Sequence, residues 1–182
     1  MTSSSTAKDP NTCITHPNDC QQKRIPKFYL IISNISKKNN IRSLLLTAAT
    51  FQCDTVFLAG QPSYNISTDV PKQLSSNKMK IVHYPNLLDC INHIHTNYPS
   101  IKIIGVEITD KSRNVDENVF QLGKDVVFMM GNEGSGMSKS QMKYCDEFVK
   151  IRQFGNGTAS LNVNVATGVV LHTFDAWRRK HS

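Results

Sequence analysis

The sequence predicts an α/β fold, a mainly parallel sheet covered by helices, and three observations carry that expectation. Apolar runs at residues 28–33, 55–60 and 126–130, and the largely apolar segment at 101–107, read as strands buried on both faces. Segments with apolar residues at helical spacing separate several of them. Near the C-terminus two glycine-bearing segments each turn from a strand into a helix, the first at residues 131–137 and the second at residues 151–163. Alternating strands and helices of this kind define the class.

Taken in order, residues 1–27 are polar and without periodicity, which predicts a flexible extension ahead of a domain at residues 28–182. The strand at 28–33 comes first, and Asn40 is the expected N-cap of a helix over 41–51. A strand at 55–60 follows, then a polar loop through Pro71 and Ser76, then a short strand at 80–83. A helix is expected at 87–95 and another buried strand at 101–107. A polar connection at 110–124 leads to the strand at 126–130, the first glycine turn, a helix at 139–144 and a strand at 148–151. The last helix opens near Ser160 and carries Val163, Ala166, Val170 and Trp177 on one face. No internal repeat is visible.

The 182 residues give room for one domain with a substantial core. No apolar run approaches the roughly 20 residues that cross a bilayer, so a membrane protein is not expected. The first residues lack an apolar h-region, and with Asp9, Asp19 and a single arginine, Arg24, they do not resemble an Arg-rich, acid-poor presequence. An intracellular protein is expected, cytoplasmic first, with nucleus and mitochondrion left open. The net charge of +7 fits either a polyanion partner or ordinary solubility. Cys13, Cys20, Cys53, Cys90 and Cys145 show no CxxC spacing and read as reduced, mostly buried thiols. Cys13, His16 and Cys20 are too few ligands to predict a zinc site, and His83, His93 and His95 read as surface or satisfied side chains.

The chemistry lies in the two glycine segments. Glycine admits φ > 0 and lets a ligand approach bare backbone, so paired turns suggest a cofactor cradle. The first turn, Gly131-Asn132-Glu133-Gly134-Ser135-Gly136-Met137, fits neither GxGxxG nor the P-loop pattern and has no phosphate-binding lysine. Glu133 would also repel phosphate. A neutral or cationic ligand held by backbone groups fits better. The second segment contains Gly155 and Gly157 and ends at Ser160, which reads equally as a helix cap and as a functional hydroxyl.

These residues carry a family resemblance. The first turn, Ile151, and Ser160-Leu161-Asn162-Val163 resemble the paired C-terminal motifs of SPOUT-class RNA methyltransferases, and more narrowly the TrmH/SpoU branch. Over residues 28–180 the resemblance implies a sheet whose C-terminal part is tied in a deep trefoil knot. It implies methyl transfer from S-adenosyl-L-methionine to a ribose 2′-hydroxyl of tRNA or rRNA, without metal. By position, the family's cofactor contacts fall at Gly105, Glu107, Gly131, Asn132, Gly134, Gly136, Ile151, Gly155, Ser160 and Leu161. Its catalytic positions that this sequence keeps fall at Asn40, Glu133, Ser160 and Asn162, and Arg42 is the candidate for the role of its arginine. The family is usually a homodimer. Val170, Phe174 and Trp177 of the last helix could serve such an interface or could be core.

The N-terminal motif departs from the family. Asn40 matches, but Arg42 stands where the family has glycine, Leu46 where it has the active-site arginine, and Gln52 where it has glycine. An α-helix rises about 1.5 Å per residue, which places Arg42 about 6 Å from the Leu46 position along the axis. Two readings therefore compete: a methyltransferase whose arginine has moved by one turn, and a catalytically degenerate RNA-binding or ribosome-assembly factor on the same fold. A methyltransferase acting on a small molecule or protein is a third, which the basic charge favours less.

Overall fold

Strand β1 (Phe28–Ser33) is buried along its whole length, as expected of a central parallel strand. Its side chains alternate between the two faces of the sheet. Phe28, Leu30 and Ile32 join one apolar cluster with helices α1 (Lys38–Thr50) and α5 (Val163–Lys180). Tyr29 and Ile31 join a second with helix α3 (Leu87–Asn97) and Met137. The period of two along each strand thus divides the core into two helix-covered layers.

The computed structural model describes residues 24–117, 119–121, 123–132, 134–155 and 161–182. Besides β1 the strands are β2 (Thr55–Ala59), β3 (Lys80–Tyr84), β4 (Lys102–Val106), β5 (Arg113–Asn114), β6 (Val126–Met130) and β7 (Glu147–Lys150). They form one sheet in the order β3-β2-β1-β6-β4-β7-β5, and every named pairing is parallel. The short helices are α2 (Ile66–Asp69) and α4 (Lys139–Lys143). Strands β6, β4 and β7 lie side by side, so their C-terminal ends deliver Gly131, Glu107 and Ile151 to one place. That adjacency positions the site.

Several expectations need correction. Helix α1 starts at Lys38 after Lys37, whose side chain makes no cap; Asn40 is inside the first turn and is not the N-cap. Helix α5 starts at Val163, capped by Asn162, whose side chain accepts from the Asn164 N–H at 2.9 Å, so Ser160 is not its N-cap. The loop expected after β2 contains α2 and a 3₁₀ turn at Lys72–Leu74, and the polar connection after β4 contains β5. Val170 and Phe174 are fully buried core, and Trp177 packs against them. Cys53 and Cys90 are buried and Cys145 partly so, with thiols that burial pushes up, Cys90 and Cys145 to about 12. Cys13, Cys20 and His16 lie outside the described residues.

The end of α1 shows how the fold absorbs one departure from the family pattern. Cys53 N–H bonds the Ala48 carbonyl at 3.0 Å and Gln52 N–H the Ala49 carbonyl at 3.1 Å, the Schellman arrangement, with Gln52 at φ 59°. Glycine suits that conformation and glutamine pays a steric cost there. Gln52→Gly should therefore stabilise the protein by roughly 0.5–1 kcal/mol, raising Tm by about 1–4 °C in thermal unfolding. A lowered Tm would mean that the contact from Arg179 to Gln52 Oε1 at 3.3 Å outweighs the backbone strain.

Candidate functional site

The loop after β6 is built by one side chain. Asn132 Oδ1 accepts from the Gly134 N–H at 2.9 Å and the Ser135 N–H at 3.3 Å, closing an Asx turn. Its amide donates to the Asn34 carbonyl at 2.6 Å and to Ser36 Oγ at 3.2 Å, tying the loop to the segment after β1. Asn132 and Gly136 also exchange two backbone hydrogen bonds at 2.9 and 3.1 Å. Below it, Glu107 Oε2 accepts from the Met137 N–H at 2.6 Å, and Oε1 from the Ile108 N–H at 2.9 Å.

The segment after β1 is fixed in turn by Gln61, which is 4% exposed. With its amide oxygen facing the donors, it accepts from the Asn34 and Ile35 N–H groups at 2.9 Å and donates to the Ile35 carbonyl at 3.0 Å. Asn34, at φ 60°, is a residue type that tolerates the left-handed region. Gln141 braces the other side. It forms a capping box with Ser138 at the start of α4, and its amide donates to the Ser33 and Met130 carbonyls at 3.3 and 3.4 Å.

These elements enclose a cavity of about 240 Å³. Of the sequence-derived residues, Glu107, Gly131, Asn132, Gly134, Gly136, Ile151 and Leu161 line it. A Cβ on Gly131 would lie 2.9 Å from the Gly136 carbonyl carbon and the Met137 nitrogen, so the loop closes on itself only with glycine there. Gly105 is not part of the lining. Its missing Cβ makes room for the Phe148 ring at 2.8 Å and Cys145 Sγ at 2.9 Å on the opposite layer. Gly155 is exposed, has none of the described residues near its Cβ position, and is not part of this lining. Glu133 and Ser160 lie outside the described residues.

The remaining candidates sit beside the cavity. Asn40 Oδ1 accepts from Asn164 Nδ2 at 3.2 Å, joining the first turns of α1 and α5, and Asn162 caps α5. Arg42 is exposed and does not line the cavity; its charge acts on Asp69 and Tyr64. Lys38 pairs with Asp69 at 2.8 Å. The hydrogen bond from Lys38 is the main cause that holds the Asp69 carboxyl below its ordinary value, and burial pushes Tyr64 up to about 12 against the pull of Arg42. Leu46, at the position of the family's arginine, is half-buried.

Sequence reasoning missed Ile108, Met130, Lys150, Val163 and Ala166 in the lining, and Gln141 beneath it. Only Gln141 carried a legible signal, the Ser138-x-x-Gln141 spacing of a capping box. What the arrangement can do follows from its walls: apolar side chains for a flat apolar group, and backbone N–H and carbonyl groups from three glycine positions for its polar edge.

A parallel sheet whose adjacent strand ends meet at such a cavity is the architecture of SPOUT methyltransferases, and comparison with known proteins agrees. The model of the SpoU rRNA Methylase family matches residues 27–172, and the chain belongs to that family. It is 28% identical over 167 residues to the 23S rRNA (guanosine-2′-O-)-methyltransferase RlmB of Haemophilus ducreyi, covering 91% of this chain and 65% of that protein. The AdoMet-bound rRNA methyltransferase of Sinorhizobium meliloti superposes with a TM-score of 0.70 at 20% identity, over 85% of this chain and 58% of that one. A structure solved in work on 2′-OH methylation of C/U34 on tRNA gives 0.66 at 16% identity, over 86% of this chain and 98% of that one. The chain spans less than two thirds of the length of the RlmB proteins it matches.

Proposed function

We propose that this chain is an RNA methyltransferase that transfers the methyl group of S-adenosyl-L-methionine to a ribose 2′-hydroxyl of tRNA or rRNA. One observation carries the reading: the two glycine segments, apart in sequence, wall a single cavity at the ends of β4, β6 and β7. The cofactor supplies an electrophilic methyl on a sulfonium. The cavity fits it because Gly131, Gly134 and Gly136 line it without side chains, and Leu161, Val163 and Ala166 offer an apolar wall. Gly131, Gly134, Gly136, Ile151 and Leu161 would hold it; Glu107 and Asn132 shape the loop that does so.

The RNA side falls to the first turn of α1. Lys37, Lys38 and Arg42 present cations there, and Asn40 links that turn to the start of α5 beside the cavity. Because Arg42 lies off the cavity, Arg42→Ala should weaken RNA binding and methyl transfer while leaving affinity for S-adenosylhomocysteine within about twofold. Calorimetry and a transfer assay check this, and a large loss of cofactor affinity would contradict it. RNA affinity should also fall steeply with salt, as counterion release requires when several phosphates are contacted.

The second reading, a degenerate RNA-binding or assembly factor, is favoured by one feature, the half-buried Leu46 where the family has arginine. Transfer of labelled methyl to RNA separates the two. The same reading includes a homodimer, a trefoil knot through the segments around Gly131 and Ile151, and residues 28–182 as the methyltransferase domain working inside the cell after an N-terminal extension. The dimer surface is the outer stripe of α5. Val165 and Val169 are 52% and 37% exposed, with Leu161 at 37% one turn before them. Val165→Lys with Val169→Lys should give a monomer by light scattering; an unchanged dimer would place the interface elsewhere. No described helix is long and apolar enough to cross a membrane.

A further inference from the structure

The turn after β6 already contains an anion. Glu107 directly follows β4, outside the turn, and its Oε2 accepts the Met137 N–H at 2.6 Å. The same oxygen lies 2.5 Å from the Cβ position of Gly136, which is at φ +67°, and 3.1 Å from that of Gly131. A carboxylate thus seats between two glycines against a backbone donor. In turns of this build, bare N–H groups between glycines are what an anionic ligand group uses. Here the protein's own side chain has taken that place, and the second oxygen is held by the Ile108 N–H at 2.9 Å.

We propose that Glu107 is the resident anion of this turn, a positioning and specificity-determining residue that fixes the turn and confines the cavity to adenosyl ligands without phosphate. The proposal rests on the cofactor reading above. Its physical basis is twofold. Hydrogen bonds to a charged group are worth more than neutral ones, so the carboxylate holds the turn in the shape that exposes Gly131 and Gly136 to the cavity. A phosphate entering the same space would meet a filled donor and a like charge. Glutamine at 107 keeps the size but must turn an NH₂ toward one of two N–H donors, so one contact is lost.

Two measurements on the full chain test this. Without ligand, amide exchange in the peptide spanning residues 134–142 should be about tenfold faster in Glu107→Gln than in wild type, with β1 and α5 unchanged. Equal exchange would overturn the positioning role. Calorimetry with S-adenosylhomocysteine and with ADP then reads specificity. Wild type should take the first and not the second. Glu107→Gln should lose about tenfold for S-adenosylhomocysteine and narrow the gap between the two. An unchanged preference would overturn the specificity role. Wild type that takes neither ligand counts against the cofactor reading, and the exchange comparison still decides whether Glu107 sets the turn. If Glu107→Gln fails to fold, Gly136→Ala decides it: its Tm loss should be larger in wild type than in Glu107→Ala, and equal losses would contradict the contact.

Discussion

Gly131→Val is expected to abolish binding of S-adenosylhomocysteine while leaving the sheet folded. The new Cβ would fall 2.9 Å from two backbone atoms, the Gly136 carbonyl carbon and the Met137 nitrogen, and 3.1 Å from Glu107 Oε2. The first two are backbone atoms of the loop, so the loop itself has to move. Both γ-methyls of valine add to the obstruction. A loss of at least ~100-fold in affinity, ~2.7 kcal/mol, is the expected calorimetric result. Circular dichroism should stay native, because Val126–Met130 are buried mainly by neighbouring strands and helices, Met137 being the one loop residue in their clusters. Wild-type affinity in Gly131→Val would remove the loop from the binding site.

The second large effect concerns the fold. Arg178 is 4% exposed, and its guanidinium binds Asp175 with Nε at 2.7 Å, the Pro26 carbonyl at 3.0 Å and the Phe51 carbonyl at 2.9 Å. It also lies 5.2 Å from the centre of the Phe28 ring. One side chain thereby joins α5, the C-terminal end of α1 and the segment leading into β1. Arg178→Ala leaves Asp175 short of its buried partner and two carbonyls without a donor. The expected cost is about 3–5 kcal/mol, the range for breaking a buried pair, which lowers Tm by roughly 10 °C. A shift under about 2 °C would show that water replaces the guanidinium freely.

The same pair gives a pH dependence. Burial raises the Asp175 pKa, but hydrogen bonds from Arg179 and Arg178 outweigh it and hold the carboxyl below its ordinary value. A depressed folded value means that this stability is present above the unfolded carboxylate range and is lost as pH falls through the folded value. Arg178→Ala should therefore flatten the acid limb of the unfolding curve.

How much of this was legible in the sequence depends on what kind of signal each part carries. Buried strands were readable because burial on both faces leaves an unbroken apolar run, as in Phe28–Ser33 and Val126–Met130. The edge elements divide: the short strand expected at 80–83 is β3, Lys80–Tyr84, whereas β5, two residues long, has no apolar pattern to show. Helix starts were misplaced where several polar residues competed. Asn40 looked like a cap, yet the helix begins earlier on Lys37, which has no capping side chain. At α5 the cap is Asn162 rather than Ser160.

For the site, the glycines were visible because their need is local, a tight turn or a close approach. The reasons for two of them were not. Gly105 serves Phe148 and Cys145 on the far layer, and Gly136 serves Glu107, contacts between distant positions that no local pattern encodes. The buried supports Gln61 and Gln141 are hidden for the same reason. Each is polar in sequence and buried in the fold because it satisfies backbone groups of neighbouring loops.

The most direct measurement of the central claim is methyl transfer from labelled S-adenosyl-L-methionine to total cellular RNA, followed by digestion to nucleosides. The account predicts label in 2′-O-methylnucleosides with wild type and none with Gly131→Val. Leu46→Arg, which restores the family's arginine, should raise the rate. Label appearing on a base instead of the ribose would contradict the reaction proposed. Silence of both wild type and Leu46→Arg, with S-adenosylhomocysteine still bound, would contradict the enzyme and leave the binding-factor reading in its place.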